Sequence, residues 1–373
     1  MQCEVEEVWR AGLHTDYAGL PRCAARDAWF APDCFSPQFL LGWPTESHDA
    51  REFPEMVCFY LGTPSPALRS GGHVGASIPT TTSGCTVCDA HGFALRRCHL
   101  PVVTFDGFHV EVMDMWEGLL REAGVVHEPE PHHIFDTLIP AAVLLDAANP
   151  PGIVPDFWAD VSLPPYPAFG AGAAGAGARQ PVGVRRLFFD VKGLQGGGSA
   201  YAGTRVQSGA VAARAARVDT DYRRHAQRLD QRHSPAMTTP IADRLRQYGA
   251  VRGLAHGAYA EGSPDVHHLA SALADCIAHR VWRRWGARSE AEARSFVVAR
   301  VRRIIGSTVA RAMARHFLRR LPFVGLTRAA MDRRRQAVRA RAARARDDGA
   351  GIDGLRAEDF HPAQPAARGG DAA

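Results

Sequence analysis

The sequence predicts an α/β fold, with a mixed central sheet and helices before, between and after its strands. Three observations carry that reading. An amphipathic helix spans 107–124, and three apolar, strand-like runs follow it at 125–128, 153–161 and 185–192. A long helix at 205–231 then separates the third run from a fourth at 250–259. Helix, strand, strand, strand, helix, strand is the resulting order, and further helices complete the chain.

Residues 1–84 are weakly periodic and broken by turn signals at Trp43-Pro44-Thr45 and Thr63-Pro64-Ser65-Pro66. Short helices are expected at 4–12 and 52–62, with Cys23, Cys34 and Cys58 as core cysteines. Next comes Cys85-Thr86-Val87-Cys88-Asp89-Ala90-His91, followed by Cys98-His99. A Cys-x-x-Cys sets two thiolates on one tight turn, and Cys98 with either His91 or His99 can complete a tetrahedral zinc site. A loop with incidental cysteines is the plainer alternative.

In the helix at 107–124, Val112, Met115, Trp116 and Leu119 form the apolar stripe. Glu111, Glu117 and Glu122 are its polar decoration, and Gly124 supplies the stop. Val125-Val126-His127-Glu128 reads as a short strand ended by Pro129 and Pro131, and another short helix is expected within 132–150. The run from Ile153 to Val161 reads as a strand with Pro155 near its start, where a missing donor is tolerable. Alternation puts Asp156, Trp158 and Asp160 on one face. Residues 164–183, rich in Gly, Ala and Pro, are expected to be a mobile connection to the next strand.

That strand, Arg185-Arg186-Leu187-Phe188-Phe189-Asp190-Val191-Lys192, is the most informative stretch of the chain. Asp190 and Lys192 are two residues apart and leave by the same face. Lys192 is also the single lysine among 43 arginines. Arginine is a planar fork of fixed charge, whereas lysine is a compact ammonium, so a site that needs a point charge beside a water resists the exchange. Survival of one lysine by chance is the competing explanation. Beyond Gly196-Gly197-Gly198, the helix at 205–231 sets Val211, Val218, Tyr222 and Leu229 on one side and lines another with Arg214, Arg217, Arg224 and Arg228. Helices at 264–284 and 290–320 follow, and from 329 the chain is expected to fray.

Charge is divided unevenly. Residues 1–160 hold 8 arginines against 22 acids, while 280–346 hold 20 arginines against 3. A basic half of that density reads as a polyanion-binding surface, with phosphate backbone the natural partner; a solvated arginine-rich helix face is the alternative. No apolar run reaches the length of a membrane span, and the first residues are acidic where a secretory signal is basic. A soluble, intracellular protein with reduced thiols is therefore expected.

The chemistry centres on Asp156 and Asp190, which would converge from neighbouring strands to hold Mg²⁺. Lys192 would position the attacking water or stabilise charge. Glu128 is the candidate third ligand and Glu111 its rival. There is no phosphate-binding Gly-x-x-x-x-Gly-Lys and no Gly-x-Ser-x-Gly.

Pro155-Asp156 followed by Asp190-Val191-Lys192 resembles the signature of PD-(D/E)XK, restriction-like nucleases, and the predicted order fits that family's αβββαβ core. The wider context is similar to the C-terminal segment of older non-LTR retrotransposon polyproteins of algal and protist type. There a zinc-knuckle-like motif precedes a restriction-like endonuclease that nicks target DNA to prime reverse transcription. Carrying the likeness are the cysteine motif, a helix opened by His109, and Ala123-Gly124-Val125-Val126-His127-Glu128-Pro129. Gln207-Ser208-Gly209-Ala210-Val211 and the run from Gly257 to His267 add to it.

The sequence departs from the family at Ala94 and Leu95, where the knuckle usually has a histidine, and at Phe108-His109-Val110, where a basic-His-Asn triplet opens the helix. The resemblance implies a Mg²⁺-dependent, nuclear DNA endonuclease with DNA, and possible element RNA, as partners. Gln207 joins its catalytic residues, and Cys85, Cys88, His91 and Cys98 hold a structural Zn²⁺. It divides the chain into 1–84, a knuckle-like 85–105, a nuclease core at 106–262, a helical extension at 263–328 and a basic tail at 329–373. A repair or resolvase-like nuclease, or an inactive nucleic-acid-binding remnant, are the alternatives.

Overall fold

The structure, a computed structural model, describes residues 24–35, 50–79, 85–98, 100, 106–139, 153–163, 184–194, 206–233 and 238–327, with scattered residues from 329 to 340. The expected helix at 4–12, the connection at 164–183, Gly196 to Gly198, Cys23, His99 and most of the tail lie outside them.

The N-terminal part contains α1 (Ala24–Phe30), α2 (Glu52–Leu61), α3 (Pro66–Ser70), an antiparallel pair β1 (Ser77–Pro79) and β2 (Cys85–Val87), and α4 (Phe93–Arg97). The expected helix at 52–62 is α2, closed by Gly62 at φ 65°. Helix α5 (Asp106–Ala123) has Val112, Trp116 and Leu119 buried, as the stripe requires. It stops at Gly124, whose φ is +68°, and Val125 N–H donates back to Leu120 O. Val125 is thereby tied to the helix end, so β3 is His127–Pro129 and starts later than the apolar run. A 3-10 turn, His132–Phe135, stands in the region expected to hold a short helix.

Then come β4 (Phe157–Val161), β5 (Arg185–Gly193), α6 (Ser208–His233), α7 (Pro240–Gln247), β6 (Val251–His256), α8 (Pro264–Val281) and α9 (Glu290–Leu318). The strands form one mixed sheet in the order β3-β4-β5-β6, antiparallel except for the parallel pair β5–β6. The predicted order of α5 to β6 therefore holds, with α7 as an addition. Periodicity overlooked α7 because it is two turns long; Pro240 opens it, and Asp230 accepts from the N–H groups of Ile241 and Ala242. β4 is shorter than the run from Ile153 predicts. Pro155 has no N–H to give a ladder, and Asp156 stands just before the first paired residue, with its carbonyl accepting from Glu130 N–H.

The two faces of the sheet are covered differently. Phe157, Ala159, Leu187, Phe189 and Val191 point into a core shared with α5, α8, α9 and the N-terminal helices α1 and α2. Trp158 and Phe188 point the other way, against Val218, Tyr222 and Leu229 of α6 and Ile241 and Leu245 of α7. Burying each large side chain of this kind contributes roughly 1.5–3 kcal/mol.

Candidate catalytic site

Register puts the candidate residues on the α6 side of the sheet. Phe188 lies opposite Trp158, so Asp190 and Lys192, two and four residues on, share the face of Trp158 and Asp156. Asp156, freed from the ladder, turns its carboxylate to β5: Oδ2 accepts from Val191 N–H at 2.5 Å. One carboxylate is thus fixed to the main chain between Asp190 and Lys192.

Asp190 is 2% exposed. Its Oδ1 accepts from the Tyr222 hydroxyl at 3.0 Å, and the Lys192 ammonium stands 2.6 Å from Oδ2. That ammonium is the one partner of the buried Oδ2 among the described residues. Burial pushes the Asp190 carboxyl up to about 6, and the neighbouring Asp156 charge pushes the same way against Lys192 and Tyr222. Tyr222 has one proton and two acceptors, Asp190 Oδ1 and Val154 O, each at 3.0 Å. Burial, then the Asp190 charge, raises its phenol well above the usual range. On the open side, His109 Nε2 lies 3.3 Å from Asp156 Oδ1. That hydrogen bond raises the imidazole against the opposing effect of burial. His109 and Lys192 are about one-third exposed, so the site meets solvent through these two groups.

The sequence missed Tyr222 as a site residue and gave His109 no role. Tyr222 sits in an apolar stripe where a phenol looks like any core aromatic. His109 could have been noticed as a polar residue in the first turn of α5, the helix packed behind β5.

Other candidates sit elsewhere or serve other contacts. Glu128, opposite Trp158 in the sheet, accepts from Trp158 Nε1 at 2.9 Å and pairs with His133 Nδ1 at 2.9 Å. Glu111 faces α9 instead of Asp156: its Oε2 is 3.1 Å from Arg315 Nη1 and 3.8 Å from Arg311 Nε. Its place as rival ligand is lost, because two helix positions beyond His109 is roughly 200° around the axis. Gln207 precedes the first turn of α6, its N–H donating to Glu261 Oε1 and its carbonyl accepting from Val211. Arg214, Arg217, Arg224 and Arg228 are exposed on α6, and Arg224 pairs with Asp221 at 3.2 Å.

The cysteine segment differs in shape from the expected tight turn. Cys85 belongs to strand β2, paired with Pro79, while Cys88 and Cys98 are buried in an apolar cluster with Leu68, Ile78 and Phe317. Burial first, then the charges of Asp89 and Cys98, pushes the Cys88 thiol up to about 11. His91 stacks on Phe93. The carbonyls that close α4 go to the buried Arg320, whose guanidinium donates to Leu95 O, Arg96 O and Cys98 O at 2.5–2.7 Å.

Among the described residues no three His, Cys, Asp or Glu side chains gather as a ready metal cage. Magnesium does not require one. It is commonly held by one or two carboxylates, with water and substrate phosphate completing six oxygens. Asp156 and the under-satisfied Oδ2 of Asp190 are hard oxygen donors of that kind. Compared with protein-family models, curated proteins and solved structures, the chain finds no match in any of the three. No described helix is long and apolar enough to cross a membrane.

Proposed function

We propose that this chain is a Mg²⁺-dependent endonuclease of the PD-(D/E)XK type that hydrolyses phosphodiester bonds in DNA, in the manner of a retroelement's target-nicking domain in the nucleus. One observation carries the reading: Asp156 and Asp190 sit around Val191, with the partly exposed Lys192 ammonium 2.6 Å from Asp190. The helix–strand–strand–strand–helix–strand order around that site supports it.

When bound, Mg²⁺ lowers the pKa of a water and neutralises the phosphate under attack. Asp156 and Asp190 would hold the ion, and the Val191 N–H keeps the Asp156 carboxylate aimed. Lys192, a compact donor of three protons, orients the attacking water and stabilises charge on the phosphate. Tyr222 fixes the rotamer of Asp190. His109 holds Asp156 from the solvent side. The exposed arginines of α6 supply backbone contacts, which position a duplex without reading its sequence. Element RNA is a further partner under this reading. A structural zinc at Cys85, Cys88, His91 and Cys98 is a separate proposal, resting on the two cysteines that share one cluster. Metal analysis of the purified protein tests it, and a zinc content near zero would retire it.

The nuclease reading is tested with supercoiled plasmid and purified full chain. Conversion to open circles should require Mg²⁺, stop with a chelator, and be lost in Asp156→Asn. Equal nicking by wild type and Asp156→Asn would reject it.

A further inference from the structure

The turn between α8 and α9 carries a feature that the catalytic site leaves unused. Residues 280–288 read Arg-Val-Trp-Arg-Arg-Trp-Gly-Ala-Arg, four arginines and no acid. The backbone there is closed on itself. Ala287 N–H donates to Trp282 O at 3.0 Å, Gly286 N–H donates to Arg283 O at 3.2 Å, and Gly286 has φ +69°. Such bonds fix the last turn of a helix, so the side chains of 283–285 stand on a rigid platform.

Trp282 packs partly buried against the main core, whereas Trp285 is 44% exposed. Arg283, Arg284 and Arg288 are exposed, and among the described residues none of their guanidinium groups pairs with a carboxylate. Arg283 lies against the Trp282 ring, 4.9 Å from its centre. Nearby acids are engaged locally: Glu292 accepts from Arg288 N–H and Glu290 faces His279. An exposed indole on a fixed turn, flanked by unpaired guanidinium groups, suits a ligand that offers a flat π-face beside negative charge.

We propose that this tip binds an unpaired stretch of nucleic acid, with Trp285 stacked on a base and Arg284 and Arg288 on the flanking phosphates. In taking nucleic acid as the partner it rests on the nuclease reading. Duplex DNA hides its base faces, so an indole gains little there, while every unpaired base offers one. A lipid surface is less well matched, because one indole among arginines gives little apolar area to bury.

The tip also has a place relative to the catalytic residues. Arg280 donates to the carbonyl of Glu122 near the end of α5, while His109 near its start meets Asp156. Thirteen residues at 1.5 Å each set the two about 20 Å apart along α5. That is the length of roughly six base pairs of duplex. The tip therefore holds a flank of the substrate, away from the bond that is cut.

The test uses the full chain without metal, and fluorescence anisotropy of a labelled 15-residue oligothymidylate and of a 15-base-pair duplex. Trp285→Ala should weaken oligothymidylate binding roughly 5- to 100-fold and leave the duplex within about twofold. Trp285→Phe should restore most of the affinity, and Arg284→Ala with Arg288→Ala should weaken binding and flatten its salt dependence. Circular dichroism should be unchanged, since Trp285 is largely outside the core. Oligothymidylate binding indifferent to Trp285, or equal losses on both probes, would overturn the proposal. Trp285-dependent binding to vesicles of three parts phosphatidylcholine to one part phosphatidylserine, without an oligonucleotide effect, would also overturn it and reassign the tip to lipid. Plasmid nicking by the same variants keeps the two ideas apart. Nicking with no Trp285 effect sinks only the tip, and a Trp285 effect without nicking sinks only the catalytic reading.

Discussion

At Asp190 the fold keeps a carboxylate where its charge is disfavoured. Burial raises its pKa to about 6, above the ordinary 3.8. An acid shifted upward stabilises the folded state fully below its unfolded value and loses that contribution as pH rises through the folded one. Asp190→Asn should therefore stabilise the metal-free protein at pH 7–8 by roughly 2–3 kcal/mol, read as a higher melting temperature, while abolishing nicking. The gain should shrink to nothing near pH 4, where wild type is protonated too. Melting curves at both pH values decide it, and a loss of stability at pH 8 would show that Asp190 is held by its partners more than it is opposed by burial. Asp190 and Lys192 were legible from a two-residue spacing and from one lysine among arginines. Tyr222 was not, because its partner is 32 residues away and only the tertiary fold brings the two together.

The seam between β6 and α6 decides whether that contact exists. Gly253 pairs with Asp190 across the parallel strands, and a Cβ on it would meet Ala215 Cα and O at 2.6 Å. Both are backbone atoms, so the helix itself would have to move. Gly253→Ala should cost about 1–3 kcal/mol and carry Tyr222 away from Asp190. Thermal melting reads the first effect, and a nicking rate reduced more than DNA affinity reads the second. Unchanged stability would mean that α6 sits loosely on β6. At this scale the sequence was legible where periodicity runs long: α5, α6, α8, α9 and β5 lie close to where it put them. It failed at ends and short pieces. Val125 looks like strand but caps a helix, Cys85-Thr86-Val87 looks like a turn but pairs as β2, and α7 is held by Asp230 from another element.

Across the whole molecule one buried cluster runs from Ala24 in α1 through α5 and the sheet to Ala314 in α9. Helices α1 and α2 thus pack on the same core as the strands, which no local pattern announces. Charge is the molecular property that was plain in the sequence. The acidic first 160 residues and the arginine-rich remainder predict binding that weakens steeply with salt, with a log–log slope near −5 if about six phosphates are neutralised. A salt titration of duplex binding measures it, and a flat line would reduce the arginine excess to a solvated surface.

The catalytic role of Lys192 is tested by single-turnover nicking with Lys192→Arg at DNA concentrations that saturate both proteins. Charge is conserved in that variant, but the compact ammonium becomes a planar fork beside Asp190. The cleavage rate should fall at least about 100-fold, with duplex affinity within about threefold of wild type. Cleavage by Lys192→Arg at the wild-type rate would contradict that role.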